Sequence, residues 1–244
     1  MQPLNASESS TRRELRPYSG EICPDVDPSY DPLSDPTVRA IGMMGSAGGE
    51  LPEPVRKLCY ALGVAIAKSG CVLITGACPG LPYDCARGAR ASGGLSVGVS
   101  PALSRSEHVN KYASPVDAYD VIIYTGSGLM GREVHNIHSS DIVIIAGGHS
   151  GTLGEFAIAY DEGKLIGVLT GSGGIADDIN RIIPILDKVT GAVLVYDDDP
   201  ERLVRRCIEA YQEGHFKRPS TFQAEPTDEE RTWPSSPSSA PQVS

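Results

Sequence analysis

Apolar and polar positions alternate in blocks along this chain, and the blocks change at glycines. Val38 to Met44 is an apolar run that ends in Gly45-Ser46-Ala47-Gly48-Gly49. From Pro52 to Ser69 the apolar residues Val55, Leu58, Cys59, Leu62 and Ile66 then recur at the spacing that lines one helix face, with Pro52 and Pro54 near the start, where proline is tolerated. Strand, glycine turn and helix form a unit, and the unit repeats. Cys71 to Thr75 reads as a second strand, breaking at Gly76-Ala77-Cys78-Pro79-Gly80 into a helix from Tyr83 to Ala91, and Leu95 to Val99 reads as a third strand. Further strands are predicted over Val121 to Tyr124, Asp141 to Ala146, Leu165 to Thr170 and Ala192 to Val195. Helices are predicted over Leu129 to Ser139, Gly151 to Glu162, Ile175 to Leu186 and Pro200 to Glu213, whereas Ser100 to Ala118 reads as irregular. Strands that are apolar throughout, such as Ile142-Val143-Ile144-Ile145, fit a parallel sheet covered on both faces. The expected fold is α/β, a Rossmann-like, doubly wound, mainly parallel sheet with helices on both faces.

Glycine and proline mark where this pattern begins and ends. Of 27 Gly, 26 lie between Thr37 and Arg218, while 11 of 19 Pro lie outside that window in segments rich in Ser, Asp and Pro. Such segments bury too little apolar area to offset the entropy of ordering, so residues 1–37 and 219–244 are expected to be disordered tails around one domain at 38–218. The 244 residues carry a formal charge of −10, but residues 37–218 hold 17 basic and 20 acidic residues, so the tails supply most of the excess. The overall acidity speaks against nucleic acid as a partner. The longest apolar runs fall far short of the roughly 20 residues that cross a bilayer, and the first twenty residues contain no signal-peptide core. Six Cys without a C-x-x-C pair read as reduced thiols. A cytoplasmic protein is expected, without membrane partners.

The candidate chemistry lies in the turns. In a doubly wound sheet ligands bind beyond the carboxyl ends of the strands, where loops enter helices. The turn Gly147-Gly148-His149-Ser150-Gly151-Thr152 has the glycines that let a backbone approach an anion, at the positive end of a helix dipole. A tight turn with no ligand would also use two glycines. The pattern is neither G-x-G-x-x-G nor G-x-x-x-x-G-K-[ST], and Lys68 to Thr75 offers no acid for a dinucleotide ribose.

Gly147-Gly148-His149-Ser150-Gly151-Thr152-Leu153-Gly154-Glu155, preceded by Arg132, resembles the P-G-G-x-G-T-x-x-E signature and upstream arginine of the LONELY GUY family, within the SLOG superfamily. Leu73 to Gly80 is similar to that family's second strand and glycine turn, and the resemblance spans Val38 to Arg206. It implies cleavage of the N-glycosidic bond of a nucleoside 5′-monophosphate to free base and ribose 5-phosphate. Other members of the superfamily are molybdenum-cofactor carriers or nucleotide sensors. The chain departs from the signature at Ala146 in place of Pro, at one extra residue before Gly151-Thr152, and at Glu133, where the family has Lys. The glycine turns at the strand ends point to Gly45 and Ser46 as binding the phosphate or nucleotide, and the turns that carry the resemblance add Gly76, Gly80, Gly147, Gly148, Ser150, Gly151 and Thr152. The resemblance also implies that Arg132 and Glu155 act on the ligand, and that the protein is a homodimer.

Glycosidic cleavage builds positive charge on the ribose, which a fixed carboxylate stabilises. Glu155 near a helix N-terminus is expected to be ionised at neutral pH, though Thr152-Leu153-Gly154-Glu155 also reads as a capping box. Arg132 either orients the ligand or forms an exposed ion pair with its neighbour Glu133. His135, His138 and His149 lack the convergent ligands a metal requires, so neither a metal nor a further cofactor is expected. Asp197 to Asp199 before Pro200 reads as a helix start. Three functions stay open: a phosphoribohydrolase, a noncatalytic carrier or sensor of a phosphorylated ligand, and a scaffold whose tails recruit partners.

Overall fold

The chain alternates strand and helix almost without interruption. A computed structural model describes residues 36–215. The elements are β1 (Ala40–Gly45), α1 (Glu53–Lys68), β2 (Val72–Thr75), α2 (Leu81–Ala91), β3 (Ser96–Ser100), α3 (Arg105–Asn110) and β4 (Val121–Tyr124). They continue with α4 (Gly128–His138), β5 (Ile142–Ala146), α5 (Ser150–Asp161), β6 (Leu165–Leu169), α6 (Gly174–Leu186), β7 (Val193–Asp197) and α7 (Pro200–Gln212). The tails expected at 1–37 and 219–244 lie outside the described residues, apart from Pro36 and Thr37.

All seven strands are parallel, in the order β4-β3-β2-β1-β5-β6-β7. The chain winds outward from β1 to β4, returns through α4 and winds the other way from β5, so β1 and β5 are neighbours, with Gly45 opposite Ala146. Every residue of β5 and β6 is buried, as strands with helices on both faces require. One face packs Ile41, Met43, Leu73, Ile142 and Ile144 against Leu62 and Ile66 of α1, Cys85 of α2 and Leu203 of α7. The other packs Met44, Val143, Ile145 and Val168 against Ile137 of α4, Phe156 of α5 and Ile179 of α6. Helices α1 and α2 cross so closely that a Cβ on Gly63 would lie 1.8 Å from the Cys85 carbonyl oxygen. No helix among the described residues is long and apolar enough to cross a membrane.

Three elements differ from expectation. Helix α2 starts at Leu81, β7 runs on to Asp197, part of the expected helix start, and the stretch read as irregular contains α3. Ser104 caps α3, its Oγ accepting the Glu107 amide at 3.2 Å, while Glu107 Oε2 accepts the Leu103 amide at 2.8 Å. This is a reciprocal cap on a helix of six residues, too short to show a periodicity. The expected cap of α7 is present: the Asp199 carboxylate accepts the Arg202 amide at 2.7 Å.

Candidate functional site

The reversal of strand order between β1 and β5 separates two loops at the carboxyl edge of the sheet, the place where open α/β sheets bind ligands. A cleft of about 440 Å³ opens there, lined by Gly45, Ser46, Ala47, Gly48 and Gly49 after β1, by Arg132 and Glu133 of α4, and by His149, Gly151, Thr152 and Glu155. A larger groove of about 630 Å³, lined by residues such as Lys68, Arg202 and Ile208, contains none of the glycine turns.

The turn after β5 divides into a fastened part and an open part. The Gly148 amide donates to Ser46 Oγ at 2.7 Å and the Gly147 amide to Ser172 Oγ at 2.8 Å, while the carbonyls of both glycines accept amides from α6. Gly147 and Gly148 thus tie the turn to its neighbours. Ser46 also accepts the Leu81 amide on its carbonyl oxygen, fixing the start of α2. The open part is the first turn of α5. Its first intrahelical bond is donated by Leu153 to His149, and no side chain caps it. The amides of Ser150, Gly151 and Thr152 therefore lack intrahelical acceptors at the positive end of the helix.

Beside that turn lies a buried ion pair. Arg132 is 8% and Glu155 5% exposed, and Arg132 Nη1 stands 3.5 Å from Glu155 Oε1. Arg132 Nε is buried without a hydrogen-bond partner, while the residue lines the cleft. Gly76 makes this placement possible: a Cβ there would lie 1.7 Å from Arg132 Nη1. The Gly76 turn is held by Thr75 Oγ1, which accepts the Ala77 amide and donates to the buried Tyr119 hydroxyl. Cys78 lies in the same turn, and burial pushes its thiol up to about 11, so it is no thiolate. Gly80, at φ 82°, turns the chain into α2 behind the cleft.

These contacts change three expectations. Arg132 is not in an exposed pair with Glu133; its ionic partner is Glu155, across the cleft floor. The capping box of Thr152 and Glu155 is not formed, because α5 begins at Ser150 and already includes Thr152. Glu155 is not held ionised by the helix dipole. Burial pushes its carboxyl up to about 7, against the lowering by Arg132 and with a further rise from Glu133. Of the residues singled out from sequence, the structure places Gly45, Ser46, Gly151, Thr152, Arg132 and Glu155 around the cleft, and Gly76, Gly80, Gly147 and Gly148 behind its walls. Ser150 is exposed at the start of α5.

Sequence reading missed Glu133 as part of this site. It lies on the buried face of α4 with Arg132, and Asn136 follows one turn later on the same face, behind the cleft lining. Glu133 Oε2 and both side-chain amide atoms of Asn136 are buried without hydrogen-bond partners. An Arg-Glu pair followed by Asn at helical spacing is a faint signal, because charged residues on a helix usually face water. His135 and His138 lie on the exposed face of α4, where His138 meets Glu162, and among the described residues no three His, Cys, Asp or Glu side chains could hold a metal together.

The chain is similar to several known proteins. An uncharacterised protein of Archaeoglobus fulgidus is 38% identical over 129 residues, covering 53% of this chain and 78% of that protein. The molybdenum cofactor carrier protein of Chlamydomonas reinhardtii has a TM-score of 0.58 at 26% identity, over 72% of this chain and 99% of the carrier. The molybdenum cofactor binding protein of Rippkaea orientalis has a TM-score of 0.57 at 28% identity, over 71% and 97%. One finding corrects the exclusion of nucleic acid. DNA processing protein A of Helicobacter pylori, described by its single-stranded DNA binding mode, aligns at 18% identity and a TM-score of 0.49, over 73% of this chain and 84% of that one. A likeness at that level assigns nothing to this chain, but the exclusion is withdrawn. It rested on a net charge that comes mostly from outside residues 37–218, whereas the field at the strand ends is set locally by groups such as Arg132 and the start of α5. The sequence matches the SLOG cluster4 family over residues 38–204, the span that builds the sheet and both walls of the cleft, and the chain belongs to that family.

Proposed function

We propose that the protein binds a nucleoside 5′-monophosphate in the cleft and hydrolyses its N-glycosidic bond. The observation that carries this reading is the buried Arg132–Glu155 pair beside the uncapped first turn of α5. The amides of Ser150, Gly151 and Thr152 receive the phosphate, with the helix dipole behind them. The Arg132 guanidinium, at the cleft wall, orients the ligand. As the bond from the anomeric carbon to the base lengthens, positive charge grows on the ribose ring, and the Glu155 carboxylate beside it stabilises that charge. Water then adds its oxygen to the anomeric carbon and the base leaves with a proton, giving free base and ribose 5-phosphate. Only ionised Glu155 serves in this step, so kcat/KM rises with pH through about 7.

The likeness to molybdenum cofactor carriers over nearly their whole length supports a second reading, in which the same cleft holds a phosphorylated ligand without turnover. One experiment separates the two. The full chain is incubated with a panel of nucleoside monophosphates, and free base is followed by chromatography. Release that disappears in Glu155→Gln is the expected result. Thermal stabilisation by a ligand without release favours the carrier reading.

A further inference from the structure

The cleft holds a second acid that the proposed hydrolysis does not use. Glu133 lines the cleft next to Arg132 but is only 5% exposed, and its Oε2 is buried without a hydrogen-bond partner. Its carboxyl lies along the start of α5, from the first turn into the second: Oε1 stands 3.7 Å from the place of a Cβ on Gly151, and Oε2 3.6 Å from that on Gly154. Burial raises its pKa, opposed by Arg132. A buried carboxyl oxygen without a donor is costly, and beside a seat for phosphate it also repels the anion. A ligand offsets both effects if it brings hydroxyl donors to this carboxyl at Oε1, on the Gly151 side that lines the cleft, while its phosphate stays at the amides. The sugar of a ribonucleotide has such donors in its vicinal 2′- and 3′-hydroxyls, and an acidic side chain accepting from a ribose hydroxyl is a general mode of recognition in doubly wound folds.

We infer that Glu133 selects ribose over deoxyribose, accepting hydrogen bonds from the vicinal hydroxyls of the sugar whose phosphate sits on the first turn of α5. The inference rests on the phosphate seat of the preceding reading and adds the residue that distinguishes the sugar. It gives Glu133 two effects of opposite sign. The residue strengthens binding of a ribosyl phosphate and weakens binding of a bare anion, a combination that a purely structural role does not produce.

The test is calorimetric titration of the full chain with ribose 5-phosphate, 2-deoxyribose 5-phosphate and inorganic phosphate. Wild type binds ribose 5-phosphate about tenfold more tightly than the deoxy sugar, as the loss of a hydrogen bond to a charged group implies. In Glu133→Gln that ratio shrinks to about threefold or less, while inorganic phosphate binds more tightly than to wild type. Equal affinity of wild type for the two sugars overturns the inference and leaves the phosphate seat standing. An undiminished ribose preference in Glu133→Gln overturns the assignment to this residue. If none of the three probes binds wild type, the seat itself is wrong, and the inference fails with it.

Discussion

Replacing Glu155 by Gln tests the electrostatics of the cleft without any substrate. In the folded protein burial pushes this carboxyl up to about 7 from an ordinary value of 4.5. Such a rise corresponds to a penalty of about 3 kcal/mol on the ionised form. Because the folded state holds the proton more tightly than the unfolded chain, this contribution to stability is fully present below pH 4.5. It is lost as pH rises through about 7, with about 2 kcal/mol of the loss between pH 5 and 9. Gln has no proton to lose, and the other titrating groups are shared by both proteins. Relative to wild type, Glu155→Gln should therefore gain about 2 kcal/mol between pH 5 and pH 9, whatever its stability at either end. Urea unfolding of both proteins at pH 5, 7 and 9, compared at equal slope, measures this directly. A wild-type-to-variant difference that stays constant with pH would show that folding does not perturb the carboxyl. A difference that moves the other way would show that Arg132 outweighs burial and keeps Glu155 charged.

Three further substitutions separate support of the site from support of the fold. Gly76→Ala puts a methyl group where the Arg132 guanidinium lies, and the far end of a long side chain can move away. It should lower ligand affinity at least about tenfold while the thermal midpoint shifts by only a few degrees; unchanged affinity would mean that the position of Arg132 is unimportant. Gly63→Ala meets a backbone carbonyl, which cannot step aside, and should destabilise by about 3 kcal/mol in denaturant titration. Ser104→Ala removes the cap of α3 and should cost about 1 kcal/mol, seen as a lower thermal midpoint with activity retained.

The carboxylate proposed to act in the cleft is half protonated near neutral pH in the free protein. A bound phosphate would raise its pKa further, whereas closer approach of the Arg132 guanidinium would lower it. The ion pair at 3.5 Å is longer than a well-formed charge-assisted bond, so the pair has room to tighten around a ligand. The pH profile of kcat therefore reports the liganded site, whereas kcat/KM and unfolding titrations report the empty one.

The alternation of strands and helices was legible in the sequence because both signals are local. An apolar run such as Ile142 to Ile145 and an apolar stripe such as Leu58, Leu62 and Ile66 need no distant partner to be recognised. Helix α3 escaped because six residues are too few for a stripe, although Ser104 and Glu107 spelled its capping box. The same spelling at Thr152 and Glu155 misled, since the turn after β5 is tied down by Ser46 and Ser172 and starts α5 at Ser150. Only the tertiary structure decided that β1 and β5 are neighbours, and so that Gly45 to Gly49 face residues about a hundred positions later across one cleft. It also decided the charge on Glu155. The dipole of a helix can be read from sequence position, but the loss of water around a side chain depends on everything packed over it, and here that loss is the larger effect.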